Sequence, residues 1–236
     1  MKFQSELQIR SIMAFGGLTL KVAQIWRYPV KSMRGEQLDH ARIDTLGIEG
    51  DRIVHVRDGR GRVITARTHP QLLGFSATLD SAGELRIDGR QWQEPSVLAD
   101  IAKIVGPGAQ LVRDESSNRF DVLPLLVATD GSIRSLGEDG RRLRPNLVIA
   151  GVEGLGERSW PGNYLEIEEA IIEVVDLRQR CVMTTFHPDT LVQDSGVLTK
   201  IVKRFGGMLA LNCAVARSGS IRVGSHVKLR RANSEY

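Results

Sequence analysis

Cysteine is scarce in this sequence: Cys181 and Cys213 are the only two among 236 residues. A secreted domain held together by disulfide bonds would carry more of them, so we expect a protein of a reducing compartment, the cytoplasm. The sequence also lacks a C-x-x-C pair and any Cys/His cluster. This absence excludes the usual ligand sets of structural zinc and of an iron–sulfur cluster.

Long apolar runs and dense basic stripes are missing as well. No apolar segment approaches the length needed to cross a bilayer, and residues 1–17 lack the apolar core and cleavage site of a signal peptide. The net charge is a mild +4 and aromatic residues make up 5% of the chain, whereas nucleic-acid-binding proteins usually combine clustered Lys/Arg with aromatics. We therefore expect neither a membrane nor a nucleic acid as partner; the surplus arginine favours small anions.

Several catalytic signatures are absent. The sequence contains no G-x-S-x-G elbow, no Walker loop and no dinucleotide-binding fingerprint. The βαβ rhythm of a Rossmann or TIM fold is missing too. A hydrolase that pairs Cys181 with His187 stays open, but the two are only six residues apart and nothing identifies a third group to orient the histidine.

What the first half contains is a succession of short extended runs separated by turn residues. A strand is predicted over Leu20–Trp26, and Pro29 ends it. Ile53–Arg57 and Val63–Ala66 flank an Asp-Gly turn, which predicts a hairpin. Leu73–Leu79 alternates in the manner of a half-buried strand. These patterns predict a small antiparallel barrel or sandwich.

The pattern changes around Gly106–Gly108, and the second half combines strands with helices. Thr129–Leu136 begins with two side-chain oxygens that can cap a short helix. Apolar residues at helical spacing predict a helix over Val197–Phe205, which Gly206 ends. Strands are predicted over Leu147–Ala150, Ile171–Asp176, Leu211–Ala216, Ile221–Val223 and Val227–Leu229.

We therefore expect a mainly β protein with some helix (α+β), divided into two domains. Residues 1–18 are predicted to be a poorly anchored, disordered extension or to follow from an upstream start codon. A small β-barrel domain is predicted over 19–112, a second domain over 113–231 and a tail over 232–236.

The most informative segment, Arg178–Thr185, places Cys181 beside two arginines at the end of a predicted strand. Neighbouring positive charge favours the thiolate form of a cysteine, which attacks electrophiles and binds soft metals. A free cysteine is also among the most buried residue types, so a core position is the alternative for Cys181. For Cys213, which stands among alternating apolar residues, the core is the better interpretation.

A second segment carries groups suited to an anion. Arg142, Arg144 and Asn146 are spaced two apart, so an extended backbone would point them to one face. Arginine binds phosphate in a bidentate manner, and an amide can contact a polar ring edge. Pro145 stiffens the segment that presents them. A solvated strand edge is the alternative.

Further candidates stand in the first half and near its end. Lys31 with the adjacent Ser32 suits a phosphate or carboxylate, and Arg52 adds a guanidinium. Asp121 either accepts a hydrogen bond from a cofactor N–H or caps a turn, while ordinary surface ion pairs are the alternative for the cations. Thr65–Arg67 is interpreted as structural. Together with the cysteine segment, these residues indicate a soft-metal centre on an organic cofactor with anionic groups.

These motifs resemble those of MOSC-domain proteins that carry an N-terminal β-barrel domain, the group of the mitochondrial amidoxime-reducing component and its bacterial relatives. The resemblance extends over residues 20–229 and implies a small N-terminal β-barrel domain followed by a MOSC β-barrel domain. Its motifs occur in the expected order: Tyr28–Ser32, Gly50–Arg52, Thr65–Arg67, Arg142–Asn146, Arg180–Thr185 with Pro188-Asp189, and Gly219–Gly224.

The resemblance implies a molybdenum cofactor between the two domains. In that arrangement Cys181 supplies the protein thiolate to molybdenum, a soft sulfur ligand. Lys31, Ser32, Arg52 and Arg144 would hold the phosphate or polar edge of the pterin, and Asn146 and Asp121 would hydrogen-bond it. The implied activity is that of an oxidoreductase that reduces N-hydroxylated substrates (amidoximes, hydroxylamines, N-hydroxylated bases). Electrons would come from a separate flavoprotein, ferredoxin or cytochrome.

The chain departs from the pattern in places. Val122 follows Asp121 where a hydroxyl residue is expected, which leaves out one hydrogen bond to the cofactor. The ferredoxin-like domain of bacterial relatives and the pyridoxal-phosphate domain of molybdenum-cofactor sulfurases are not found, so we expect an external electron donor and no pyridoxal phosphate. Two alternatives stay open: a sulfur-carrier or cofactor-handling protein with a persulfide on Cys181, and a non-catalytic β-barrel binding module.

Overall fold

The computed structural model describes residues 19–232, and the predicted extension and all but the first residue of the predicted tail lie outside this part. The described chain is mainly strand. The strands are β1 (Lys21–Arg27), β2 (Glu36–Leu38), β3 (His40–Asp44), β4 (Gly47–Ile48), β5 (Val54–Arg57), β6 (Val63–Ile64), β7 (Ala77–Leu79), β8 (Leu85–Ile87), β9 (Arg90–Gln91), β10 (Gln110–Arg113), β11 (Leu125–Thr129), β12 (Leu147–Ala150), β13 (Asn163–Ile167), β14 (Ala170–Gln179), β15 (Met208–Arg217), β16 (Gly219–Arg222) and β17 (Val227–Arg231). The α-helices are α1 (Pro95–Val105), α2 (Asp130–Leu136) and α3 (Ser195–Phe205).

Eight strands form one large sheet in the order β17-β13-β14-β15-β11-β12-β1-β2. In this sheet β1, the first strand of the described chain, pairs antiparallel with β12, so that Ile25 lies opposite Leu147. Both of these side chains are fully buried, together with Val22 and Leu211, in the core that the sheet covers. The N-terminal strand thus completes a sheet built mostly from the second half of the chain. The boundary predicted between residues 112 and 113 stays a prediction.

A second apolar core lies in the first half and is built from the β10-β5-β6 sheet, the β7-β8-β9 sheet and α1. Helix α1, which the sequence analysis did not predict, begins with Pro95 in its first turn, where a missing N–H costs nothing. It buries Val97 and Ile101, which lie one turn apart on the same face. Gly106 ends the helix with a positive φ of 107°.

Two local predictions for the first half have different outcomes. The hairpin is confirmed: β5 pairs with β6, and Asp58 Oδ1 accepts the backbone N–H groups of Arg60 and Arg62 at 2.9 Å each. The strand predicted over Leu73–Leu79 is wrong in its first part, because Pro70–Gly74 form a 3₁₀ turn that buries Leu73. The strand begins only at Ala77.

The helices predicted in the second half are confirmed. At the start of α2, Thr129 Oγ1 accepts the N–H of Ser132 at 3.0 Å, while Ser132 Oγ accepts the N–H of Thr129 at 3.2 Å. Helix α3 ends where Gly206 adopts a left-handed conformation with a φ of 65°. In the part of the chain that the structure describes, no helix is long and apolar enough to cross a membrane.

The two cores meet along the loop that follows β1. Val30 forms a β-bridge with Val54, and Arg52 donates its backbone N–H to Tyr28 at 2.8 Å. The same loop faces the end of β14 and the 3₁₀ turn Val182–Thr185 from the second half. These segments form the walls of a cleft.

Candidate functional site

The cleft has a volume of about 780 Å³, part of it open to solvent, and is called the cation cleft here because seven basic residues line it. These are Lys31, Arg52, Arg67, Arg142, Arg144, Arg178 and Arg180. Asp121 is the single carboxylate among the described lining residues. All seven residues proposed from the sequence line this one cleft: Cys181, Lys31, Ser32, Arg52, Asp121, Arg144 and Asn146. Such an excess of positive charge is suited to an anionic ligand.

Cys181 lies where β14 gives way to a 3₁₀ turn, at the strand-to-loop transition predicted from the sequence. Its carbonyl oxygen accepts hydrogen bonds from the N–H of Thr184 at 3.1 Å and from Thr184 Oγ1 at 2.9 Å, which fixes the turn. The side chain is a free thiol at intermediate exposure. A ligand in the cleft can therefore reach the sulfur.

Arginines surround this thiol. The partly exposed Arg180 donates from Nη2 to the Leu143 carbonyl at 2.7 Å, and desolvation of its guanidinium together with the positive charge of Arg178 lowers its pKa to about 10. The pKa of Arg67 is shifted in the opposite direction. Although its burial works against the charged form, the negative charge of Asp121 and the nearby Cys181 sulfur raise the pKa of the Arg67 guanidinium. The electrostatics beside Cys181 favour an anion.

Asp121 is held by the cations of the cleft. Lys31 Nζ lies 2.8 Å from Asp121 Oδ1, and Arg67 Nη2 lies 2.6 Å from Asp121 Oδ2. Burial works against ionisation, but the hydrogen bond and charge of Lys31 and the charge of Arg67 outweigh it and lower the pKa of the Asp121 carboxyl. Lys31 Nζ also donates to the Arg119 carbonyl at 3.0 Å. Asp121 therefore fixes two cations across the cleft instead of capping a turn.

The extended backbone predicted for Arg142, Arg144 and Asn146 is wrong, although all three line the cleft. Gly140–Leu143 form a 3₁₀ turn because Asp139 accepts the N–H of Arg141 at 2.8 Å. Arg144 follows in a left-handed conformation with a φ of 53°. The turn, and not strand alternation, brings these side chains together.

The arginines of this turn have different partners. Arg142 is buried and donates from Nη1 to the Thr185 carbonyl at 3.0 Å. Arg144 donates from Nη2 to the Met33 carbonyl at 2.7 Å and stacks on the ring of Tyr28, with 4.3 Å between the guanidinium carbon and the ring centroid. Burial lowers the pKa of Arg144 to about 10 and raises that of Tyr28 to about 12.

Asn146 is fully buried at the base of the cleft. Its Oδ1 accepts the Leu126 N–H at 3.1 Å and lies 3.5 Å from Nη1 of Arg52, and its Nδ2 donates to the Trp26 carbonyl at 3.3 Å. Arg52 is also paired with the buried carboxylate of Asp51. Asn146 therefore joins β1, β11 and the Arg52 guanidinium at one point.

Three residues contribute to the site that were not predicted from the sequence as site residues. Thr65 and Arg67, interpreted as structural, both line the cleft, which corrects that interpretation. Tyr28 carries the ring on which Arg144 stacks and lies 5.4 Å from the Arg52 guanidinium carbon. Thr65, Arg67 and Tyr28 all belong to motifs on which the family resemblance rests, and this was the one signal in the sequence that pointed to them.

The chemistry of the donors fits an organic anion that carries its own metal ligands. The Nε atoms of Arg142 and Arg180 are buried and have no hydrogen-bond partner among the described residues, and such donors call for an acceptor. No group of three or more His, Cys, Asp or Glu side chains in residues 19–232 could hold a metal ion. A metal in this cleft would have Cys181 as its protein ligand and would take its other donors from the cofactor.

Comparison with known proteins agrees with this architecture. Residues 19–121 match the MOSC N-terminal beta barrel domain, and residues 130–228 match the MOSC domain. Human mitochondrial amidoxime-reducing component 1 is 26% identical, with 72% of this chain and 67% of the relative covered. The mouse protein of the same name is 25% identical, with coverages of 88% and 82%.

Among solved structures, the YuaD protein from Bacillus subtilis superposes with a TM-score of 0.51 at 13% identity, covering 91% of this chain and 97% of the other. The likeness confirms the mainly β fold. The two matched domains together span most of the described chain. The chain therefore belongs to the MOSC-domain proteins that carry a MOSC N-terminal β-barrel domain.

Proposed function

We propose that this protein is a molybdenum-cofactor-binding oxidoreductase that reduces N-hydroxylated substrates. The observation that carries the proposal is the placement of an accessible free thiol, Cys181, in a cleft with seven basic residues and one carboxylate. A thiolate is the ligand that a soft metal prefers, and the basic residues suit the anionic part of an organic cofactor. The similarity to proteins named as amidoxime-reducing components supports the reaction class.

In this proposal each part of the cleft has a role. Cys181 binds the metal, and Lys31, Ser32, Arg52 and Arg144 hold the phosphate or polar edge of the pterin. Asp121 keeps Lys31 and Arg67 in place through its two short ion pairs and also lies 3.8 Å from Nη2 of Arg178. Asn146 orients Arg52 from below, because its amide already bonds to the backbone of two strands. The Nε atoms of Arg142 and Arg180 make no hydrogen bond among the described residues and add donors for the cofactor, although Arg142 Nε lies 3.8 Å from Glu138 Oε2.

The reaction requires a source of electrons. Removal of oxygen from an N-hydroxylated substrate consumes two electrons and two protons, breaks the N–O bond, and releases the amine or amidine and water. A molybdenum cofactor held here, with Cys181 as the protein ligand of the metal, would supply the two-electron chemistry. We propose that the electrons come from a separate flavoprotein, ferredoxin or cytochrome, that the protein acts in the cytoplasm, and that neither pyridoxal phosphate nor an iron–sulfur cluster takes part.

The test is reduction of benzamidoxime to benzamidine, with reduced methyl viologen as electron donor and protein from a molybdenum-replete host. Wild type and Cys213→Ala should form benzamidine, and Cys181→Ala should form none while keeping its circular-dichroism spectrum. Full activity in Cys181→Ala would refute the proposal.

A sulfur-carrier or cofactor-handling protein is the second candidate, since an accessible thiol beside arginines is also suited to carrying a persulfide. Incubation with a cysteine desulfurase and free cysteine should then leave a sulfane sulfur on Cys181 that mass spectrometry detects. The basic residues distant from Cys181 in the chain, such as Lys31 and Arg144, favour the first candidate, because a sulfur relay needs only the thiol.

A further inference from the structure

A second cavity, of about 560 Å³, adjoins the cation cleft and is called the aromatic cavity here. The two share Arg142, Arg144 and Met183 as lining residues, so these side chains form the wall between them. The rest of the aromatic cavity differs from the cleft in character. Its apolar side chains are Trp26, Tyr28, Leu73, Met183, Phe186 and Pro188.

The absence of a side chain at Gly35 contributes to the shape of this cavity. A Cβ at this position would lie 2.5 Å from a ring carbon of Tyr28 and 2.2 Å from the Arg27 carbonyl oxygen. Any larger residue would push the Tyr28 ring out of its place in the wall. The cavity is therefore built into the packing of the loop after β1.

Three of the four arginines that line the aromatic cavity have partners within the protein. Arg142 and Arg144 donate to backbone carbonyls, as described above. Arg141 forms a bidentate pair with Asp189, at 2.9 Å and 2.6 Å, and a second pair with Asp139 at 2.7 Å. These three guanidinium groups are held in place by groups of the protein, and the proposed function assigns Arg142 and Arg144 to the cofactor.

Arg34 differs from the other three. Among the residues that the structure describes, its guanidinium has no hydrogen bond and no ion pair, and its Nε is buried without a partner. The hydrogen bonds of Arg141 and, to a smaller extent, the charge of Arg34 lower the pKa of the Asp189 carboxyl, but both oxygens of Asp189 are bonded to Arg141. A buried guanidinium donor without an acceptor is destabilising, so an acceptor from outside the protein is expected there.

We propose that the aromatic cavity is a binding site for a planar aryl carboxylate, with the carboxylate on Arg34 and the ring against Trp26 and Phe186. One free guanidinium matches one carboxylate in a bidentate geometry. The carboxylates of Asp139 and Asp189 nearby disfavour a doubly charged phosphate. The apolar side chains that line the rest of the cavity suit an aromatic ring. This site is separate from the proposed cofactor positions except for Arg142 and Arg144 in the shared wall.

The test is titration of the purified full-length protein with benzoate, followed by tryptophan fluorescence and checked by isothermal calorimetry. Wild type should show saturable binding. Replacing benzoate with the neutral isostere benzamide, or introducing Arg34→Gln, should weaken binding by about tenfold or more, since each removes a charge-assisted pair. Arg60→Gln, an exposed arginine in the β5–β6 turn, is the matched control and should bind like wild type. Trp26→Phe should lose the fluorescence change and keep the calorimetric signal.

Three results would overturn the proposal: no saturable binding to wild type, equal affinity for benzoate and benzamide, or unchanged affinity in Arg34→Gln. A further variant separates this site from the cation cleft. If Arg67→Gln weakens benzoate binding and Arg34→Gln does not, then the carboxylate binds in the cleft and the proposed site is wrong. Because the readout is binding, a failure here is independent of whether the protein reduces amidoximes.

Discussion

The middle and the end of the β14–β15 strand pair hold the two cysteines in opposite surroundings. Cys213 lies opposite Val174 in the middle of the pair and is fully buried in the large apolar core. Burial, together with the negative charges of Asp176 and Glu173, raises the pKa of the Cys213 thiol. Cys181 lies just beyond the end of the same pair, partly exposed and among arginines.

This difference arises from where the ladder of backbone hydrogen bonds stops. Within the sheet, each residue on the core side is packed by its cross-strand neighbours, and a thiol there behaves as a small apolar group. At the end of β14 the chain turns into a 3₁₀ segment, and charged side chains from both halves of the molecule converge. The position of each cysteine along one strand pair therefore decides whether its thiol is partly exposed, as in Cys181, or packed in the core, as in Cys213.

The largest expected effect is on alkylation. In folded, cofactor-free protein, iodoacetamide should modify Cys181 about a thousandfold faster than Cys213 or more, because a fully buried thiol reacts only from the rare open state. Peptide mass spectrometry at a series of times measures both rates in one sample. Similar rates at the two cysteines would contradict the comparison, and protection of Cys181 in protein loaded with cofactor would sharpen it.

A smaller effect is expected for Asp121→Asn, which removes the one carboxylate among the cleft cations. The free energy of unfolding at pH 7 should fall by about 1–3 kcal/mol, since two charge-assisted pairs are lost. Because the pKa of Asp121 is lowered in the folded state, its contribution is present above the unfolded-state pKa and is lost as the pH falls through the folded-state value. The difference between wild type and variant should therefore shrink below about pH 4.

Urea unfolding of wild type and Asp121→Asn at pH 7 and pH 3 measures the difference between their free energies of unfolding. Asp100→Asn, which removes a partly exposed carboxylate that is paired with Arg90 and Lys103 and does not line the cleft, is the control. Asp100→Asn should lower the free energy of unfolding at pH 7 by less than Asp121→Asn does. An equal loss at both pH values would show that Asp121 does not act through its charge.

The smallest effect is expected for Cys213→Ala. Removing one buried sulfur from a packed sheet should lower the free energy of unfolding by about 1 kcal/mol, through lost packing alone. Benzamidoxime reduction should be unchanged, as measured under the conditions used for Cys181→Ala. A loss of activity in folded Cys213→Ala would place the wrong cysteine at the centre of the account.

Much of the fold follows from local patterns in the sequence. The capped helix at Thr129, the helix stopped by Gly206 and the hairpin at Asp58 each have a specific local cause, and each is present in the structure. The pairing of β1 with β12 could not be predicted, because it joins residues more than a hundred positions apart. Helix α1 was not predicted, because most of the patterns in the first half of the sequence are those of strands.

In the candidate site, too, features with a local cause could be predicted, and contacts between distant parts of the chain could not. The exposure of Cys181 followed from the predicted end of a strand, and that prediction holds. The role of Arg67 was missed, because nothing near it in sequence indicates that it pairs with Asp121 54 residues later. The Arg142–Asn146 segment reaches the cleft by a turn and not by an extended backbone, since the capping by Asp139 competes with strand geometry.

Metal analysis tests the central claim most directly. Wild type, Cys181→Ala and Cys213→Ala would be purified from a molybdenum-replete host and measured by mass spectrometry for metal content and by X-ray absorption for coordination. The account predicts near-stoichiometric molybdenum in wild type and Cys213→Ala, and in Cys181→Ala either loss of the metal or a shell with one sulfur fewer. Metal-free wild type from a competent host, or an unchanged shell in Cys181→Ala, would contradict it.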